Sequence, residues 1–329
     1  MNCRAFARRV VPARVRLSRA LAARAIHDRW SGIAFARRFA PSTAFSAEWS
    51  TYSRPIIDYP GQELVGRAKR HNQRLLAGEL DGLLIHPGEV LSVWRVAQRP
   101  SLRHGYLPAA ALKEGILTLE PGGAVCLLST VLYNAGLLAG LEVVERRCHS
   151  ADSYGSQRYF ELGRDAAIEY GYLDLRLRNR WSVALRLSVI VTETAVVASL
   201  RGPEPRTFEV ALRVSEPEWL ADDPTGTARF RVHTNRTLRC GSAGRTESLG
   251  WSVYRAPWAF EASLSGLVAV EGGDVSLFRE NDDDVAIFED EIRARSNLEG
   301  SFTSADAQQR GVSPLPDELL RGAAGQPVD

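Results

Sequence analysis

The sequence predicts an α+β protein in which helices pack on an antiparallel sheet. Three observations carry that expectation: apolar residues at helical spacing from Leu64 to Leu76, an apolar run after Cys126 that ends in Gly140, and alternating runs from Leu141 onward. With 45% hydrophobic and 24% charged residues in 329, the chain can bury a sizeable core, which excludes global disorder.

The first element expected is a helix around Ser18–Ile26, studded with arginine and ending near Gly32. It belongs to a basic segment, residues 1–55, in which Asp28 is the one acid from Arg4 to Arg38. Such an arm suits an anionic membrane surface, or is a helix solvated or docked on the domain. Pro60-Gly61 opens a second helix, through Leu64, Val65, Ala68, Asn72, Leu75 and Leu76, that stops near Gly78 or Gly82. Leu83–Ile85 reads as a short buried strand, His86-Pro87-Gly88-Glu89 as a turn, and Val90–Trp94 as extended structure.

Pro121–Val125 is a glycine-rich loop, and Cys126 falls in the first turn of a buried helix capped by Gly140. Leu141–His149 alternates as a strand; Ala166–Tyr170 and Leu173–Arg178 read as a hairpin around Gly171-Tyr172. Leu185–Val191 and Thr194–Leu200 form another. The organisation expected is therefore the basic segment, a main domain over 56–205, a β-rich C-terminal extension over 206–291 that includes Phe208–Val214 and Phe230–His233, and a disordered tail over 292–329.

A formal net charge of +2 conceals a basic front and acids around Glu280, Asp282, Asp283, Asp284, Glu289 and Asp290. That layout describes an arm and a tail, and no nucleic-acid partner is expected. Cys3, Cys126, Cys148 and Cys240 are too scattered for a disulfide framework and contain no CxxC pair, so a zinc ribbon is excluded and a reducing compartment fits. No uninterrupted apolar run of about 18 residues offers a spanning helix. Val10–Ala13 is broken at once by Arg14 and Arg16, leaving no apolar core for a signal peptide. The location expected is cytoplasmic or associated with the inner membrane.

Cysteine is nucleophilic as its thiolate, which the unsatisfied N–H groups and dipole of a helix start favour. Cys126 is placed for that role, with Gly122 and Gly123 letting backbone approach a substrate carbonyl. Ser129 and Ser150 join the glycines as candidate substrate or oxyanion contacts. His149 at the end of the following strand and Asp165 at the start of the next complete a cysteine, histidine, acid order found in papain-like and transglutaminase-like folds. Each residue also has a structural reading. Cys126 can be packing in an apolar helix, the glycines a tight turn, His149 a strand-end residue bonded to Ser150 or Asp152, and Asp165 the partner of Arg164. Asp152 and Asp174 are reserve carboxylates, and Cys148, on the opposite strand face, is structural. A metal site built on Cys126, His149 and a carboxylate lacks HxH, HExxH or CxxC spacing, and the glycine loop lacks a phosphate-binding GKS or GKT, so no metal or cofactor is expected.

His86–Trp94, Gly105-Tyr106, Gly122–Ser129, Val143–Arg146 with His149-Ser150, Gly163, and the Tyr170–Asp174 segment with Asn179 form ordered blocks over the main domain. Together they resemble the VanW family, known from glycopeptide-resistance gene clusters. Exported proteins with such domains include ones that look like L,D-transpeptidases, which use a cysteine to cross-link peptidoglycan stems. The resemblance thus implies Cys126 as nucleophile, His149 as general base, and a peptidoglycan stem peptide or its precursor as partner. One alternative is a non-catalytic module that binds such a peptide or a glycopeptide; another is a structural partner whose β-rich C-terminal part mediates assembly. Two departures bear on activity: the family commonly has a third glycine where this chain has Ala124, and glutamine where it has Leu127. Cross-linking also takes place outside the cytoplasmic membrane, against the location read from the N-terminus.

Overall fold

The structure is a computed structural model, and it describes residues 11–58, 63–113, 116–152, 158–222 and 227–255. The expected tail at 292–329 and the extension beyond 255 lie outside the described residues. Four helices are described: α1 (Ala13–Trp30), α2 (Glu63–Leu80), α3 (Val93–Val96) and α4 (Cys126–Leu138). The strands are β1 (Arg38–Phe39), β2 (Ala47–Pro55), β3 (Leu83–Ile85), β4 (Val90–Ser92), β5 (Pro108–Lys113), β6 (Ile116–Pro121), β7 (Glu142–Glu145), β8 (Arg176–Arg178), β9 (Leu185–Val191), β10 (Ala195–Gly202), β11 (Glu209–Val214), β12 (Glu218–Leu220), β13 (Arg229–Cys240) and β14 (Ala243–Arg255).

The chain is α+β, with a β-rich C-terminal region. A five-stranded antiparallel sheet in the order β1-β3-β9-β10-β2 supports the core. On β10 the period of two is plain: Val196, Ala198 and Leu200 are buried while the residues between them are half-exposed. Helices α2 and α4 pack on this sheet, and Leu76, Leu80, Leu132 and Ala135 join Leu187, Val189, Ala198 and Leu200 in one apolar cluster. Every residue from Leu127 to Leu137 is buried, as a helix apolar all round requires. It ends as its glycine predicts: Gly140 has φ 73°, its N–H donates to the Leu137 carbonyl, and the Leu141 N–H donates to that of Gly136.

Two strand expectations are corrected. Ala166–Tyr170 with Leu173–Arg178 is no hairpin; only the Glu169–Leu173 bridge and the short β8 form. The cause is capture by α4, whose Ser129 hydroxyl donates to the Ala166 carbonyl at 2.6 Å while the Thr130 hydroxyl accepts the Ala166 N–H at 3.1 Å. Leu141–His149 also yields only β7, because Arg146–His149 turn away to meet Asp165. Extended structure after Val90 stops at Ser92, where the Asp174 carboxylate accepts the Trp94 N–H at 3.2 Å and helps start α3. Sequence periodicity missed β2, which extends the sheet to the N-terminal side of residue 56, and the β5–β6 hairpin.

The His86–Glu89 turn is a clasp. Gly88 N–H donates to the Asn179 carbonyl at 2.7 Å, Asn179 N–H returns to Glu89 at 2.9 Å, and the Asn179 amide reaches the carbonyls of Ile85 and Val183. Among the described residues no helix is long and apolar enough to cross a membrane.

Candidate active site

The centre is assembled where the loop after β6 enters α4. Gly122 has φ 81°, a left-handed value suited to glycine, and a Cβ on Gly123 would lie 1.9 Å from the Ala109 carbonyl oxygen of β5. Their N–H groups are already committed: Gly122 donates to Leu107 and Gly123 to Glu120. The glycines therefore frame the site through shape. The Ser129 hydroxyl is likewise turned into the core towards Ala166, and Ser150 is exposed with its carbonyl on the Arg255 N–H. The N–H groups free by helix geometry are those of the first turn of α4, at Cys126 and its neighbours.

Two buried amides from α2 hold this loop from beneath. Asn72 donates to the carbonyls of Leu107 and Gly123 and accepts the Leu107 N–H, and Gln73 donates to the Ala124 carbonyl at 3.0 Å. Ala124 itself adopts φ 67°, a conformation an L side chain enters at a cost of roughly 1–2 kcal/mol. Ala124→Gly should accordingly stabilise the fold by about 0.5–1 kcal/mol after glycine's greater entropy loss. Urea unfolding checks it, and an unchanged or lower midpoint would mean the loop carries no strain.

Cys126 is half-buried, and its thiol donates to the Ile168 carbonyl at 3.6 Å; it stands near enough to the His149 ring to favour the charged imidazole. His149 is buried; its Nδ1 and its backbone N–H each lie 2.6 Å from Asp165 Oδ2. Its ring stacks on Phe160 at 5.2 Å and 12°. Burial opposes a charged imidazole, but the hydrogen bonds to Asp165 and Cys126 outweigh it and push His149 up to about 10. Asp165 is fully buried, which alone would raise its carboxyl, yet His149 and Arg146 hold it below the usual carboxylate range. Its other oxygen accepts from Arg146 at 2.7 Å and from the Tyr254 hydroxyl at 2.6 Å.

His149 and Asp165 thus meet directly, and Cys126 acts on the same ring. The reserve carboxylates are occupied elsewhere: Asp152 pairs with Arg158 at 2.7 Å, and Asp174 joins Ser92 and Arg176. Cys148 is a separate thiol, 3.6 Å from the Val253 carbonyl, and burial with the nearby Asp165 pushes it up. Cys126, Cys148 and Cys240 are all free. Among the described residues no group of three or more His, Cys, Asp or Glu side chains is arranged to hold a metal.

Sequence reasoning missed Tyr159, whose hydroxyl lies 2.9 Å from His149 Nε2. It also missed Arg146, which binds the Asp165 carbonyl and carboxylate and the Ser252 hydroxyl. Tyr254 and Ser252 come from β14, so the C-terminal hairpin closes the acid end of the site.

Residues 68–201 match the family model described as VanW like protein. The Vancomycin B-type resistance protein VanW of Enterococcus faecalis is 29% identical over 133 residues, 40% of this chain and 48% of that protein. The Uncharacterized protein YoaR of Bacillus subtilis is 32% identical over 116 residues, 35% of this chain and 37% of its own. The chain thus spans less than half the length of these relatives. No solved structure gives a significant match. Tyr254 and Ser252 lie beyond the matched segment.

Proposed function

From the match of residues 68–201 to the VanW like protein model, we propose that this chain is a cysteine acyl transferase or peptidase of the L,D-transpeptidase kind, acting on a peptidoglycan stem peptide. The observation that carries the reading is the buried His149–Asp165 pair, joined at 2.6 Å, with Cys126 at the start of α4 acting on the same ring. Asp165 holds Nδ1, so proton exchange with the sulfur falls to Nε2, the edge that the Tyr159 hydroxyl also meets at 2.9 Å. The cysteine, histidine, acid order from a helix start is the papain-like and transglutaminase-like one. The tie to glycopeptide resistance rests on the name of the Enterococcus relative.

In this mechanism Cys126 Sγ, its proton passed to His149, attacks the peptide carbonyl carbon. The developing oxyanion is met by first-turn N–H groups of α4, at Cys126 and Leu127. The C–N bond to the terminal D-amino acid breaks, and its amine leaves with the proton from His149. An amine, or water, then attacks the thioester, gives its proton to His149 and releases the thiolate. Leu127 supplies a backbone donor but no side-chain hydrogen bond to this step.

Tyr159 favours a second reading, a non-catalytic peptide-binding module, because its hydroxyl shares the Nε2 edge that the proton transfer needs. Intact-mass analysis of the full chain with stem tetrapeptide separates the two. The transferase gives an acyl adduct on Cys126 and free terminal D-amino acid, both absent from Cys126→Ser. Tetrapeptide binding with neither product would leave the binding module.

A further inference from the structure

We propose that the outward face of α1 is a seat for an anionic lipid bilayer, on which the helix lies parallel to the surface. The orientation of α1 on the domain is fixed by its other side. Leu17 packs where a Cβ on Gly171 would fall 2.4 Å from it, Arg24 pairs with Glu145 at 2.7 Å, and buried Asp28 is gripped by Arg95 at 2.6 Å and Arg176 at 2.5 Å.

Docked in this way, the helix presents Val15, Arg19, Ile26 and Trp30 together on the opposite side, since these positions recur at the helical period. Val15 is 47% exposed, Ile26 60% and Trp30 87%, a run of large apolar side chains that the domain does not cover. Arg14, Arg19 and Arg29 are exposed around them, and Arg37 and Arg38 follow. Asp28, the one acid of the helix, is turned inward, so the open face carries positive charge alone.

Apolar side chains with an interfacial tryptophan, ringed by arginine, fit the boundary between lipid headgroups and acyl chains, where rings and guanidinium groups each find their medium. Charge complementarity selects anionic over zwitterionic lipid. A nucleic acid would satisfy the arginines but leave Ile26 and Trp30 in water, which is why the observations favour lipid. This inference is independent of the chemistry at Cys126.

The test is flotation of the full chain with vesicles of phosphatidylglycerol and phosphatidylcholine in equal parts, against phosphatidylcholine alone. The expected result is binding to the mixed vesicles only, relieved by high salt. The paired variants Ile26→Ser with Trp30→Ser, and Arg19→Glu with Arg29→Glu, should each weaken it roughly tenfold or more. Neither pair touches the docked side, so thermal unfolding should not move. Equal binding to both vesicles, no binding to either, or indifference to either variant pair overturns the proposal. So does a dimer of this chain dispersed by the Ile26 and Trp30 variant, or duplex DNA binding that this variant leaves intact.

Discussion

Replacing Asp165 by asparagine should cost about 3–5 kcal/mol of stability and slow acylation of Cys126 by roughly 10³–10⁴-fold. The carboxylate is fully buried and accepts the His149 N–H, His149 Nδ1, Arg146 and Tyr254. An amide keeps the shape but offers one acceptor oxygen in place of two, and it leaves the buried Arg146 guanidinium without its counter-charge. It also removes the charge that fixes Nδ1 as the protonated nitrogen, so the tautomer that makes Nε2 the base is no longer enforced. Urea unfolding reads the first effect, and the rate of tetrapeptide adduct formation well below the melting temperature reads the second. If stability falls while the adduct rate stays at the wild-type value, Asp165 is a framework residue and has no part in positioning the base.

The candidate site was legible as far as it is local. Cys126 could be placed because the apolar run and Gly140 define a helix, and a helix start has a chemical character of its own. His149 and Asp165 were read from their order alone, and the fold pairs their side chains at 2.6 Å. Arg146, Tyr159 and Tyr254 were not legible, since their roles depend on which side chains the fold brings against Asp165 and His149. The same limit explains the hairpin around Gly171: alternation at Ala166–Ile168 is real, but hydroxyls from α4 take the backbone groups that a strand partner would have used. One signal was present and under-read. Asn72 sits at a core position of the α2 pattern, and a polar residue in an apolar stripe marks a buried hydrogen-bonding task, here the support of Gly123 and Leu107. The turn at His86–Glu89 was visible as a motif, and in the fold it clasps Asn179.

Wild-type stability should fall as pH rises from about 6.5 towards 9, and His149→Gln should flatten that slope. Burial works against the charged ring, while hydrogen bonds to Asp165 and Cys126 push it from 6.5 up to about 10 in the fold. A group with a raised folded value binds its proton more tightly when folded, so its stabilisation is complete below 6.5 and is lost progressively as pH climbs through about 10. Asp165 has the opposite sign: its depressed value gives stability above 3.8 that disappears as pH falls below it. The pair together is therefore strongest between 3.8 and 6.5. Cys148, pushed up by burial, adds a separate loss above 9.0, which sets the upper end of a clean comparison. Chemical unfolding of the wild type and of His149→Gln at several pH values in this window isolates the imidazole. Parallel curves would mean that His149 is neutral in the fold, and that its bond to Asp165 orients the ring without charging it.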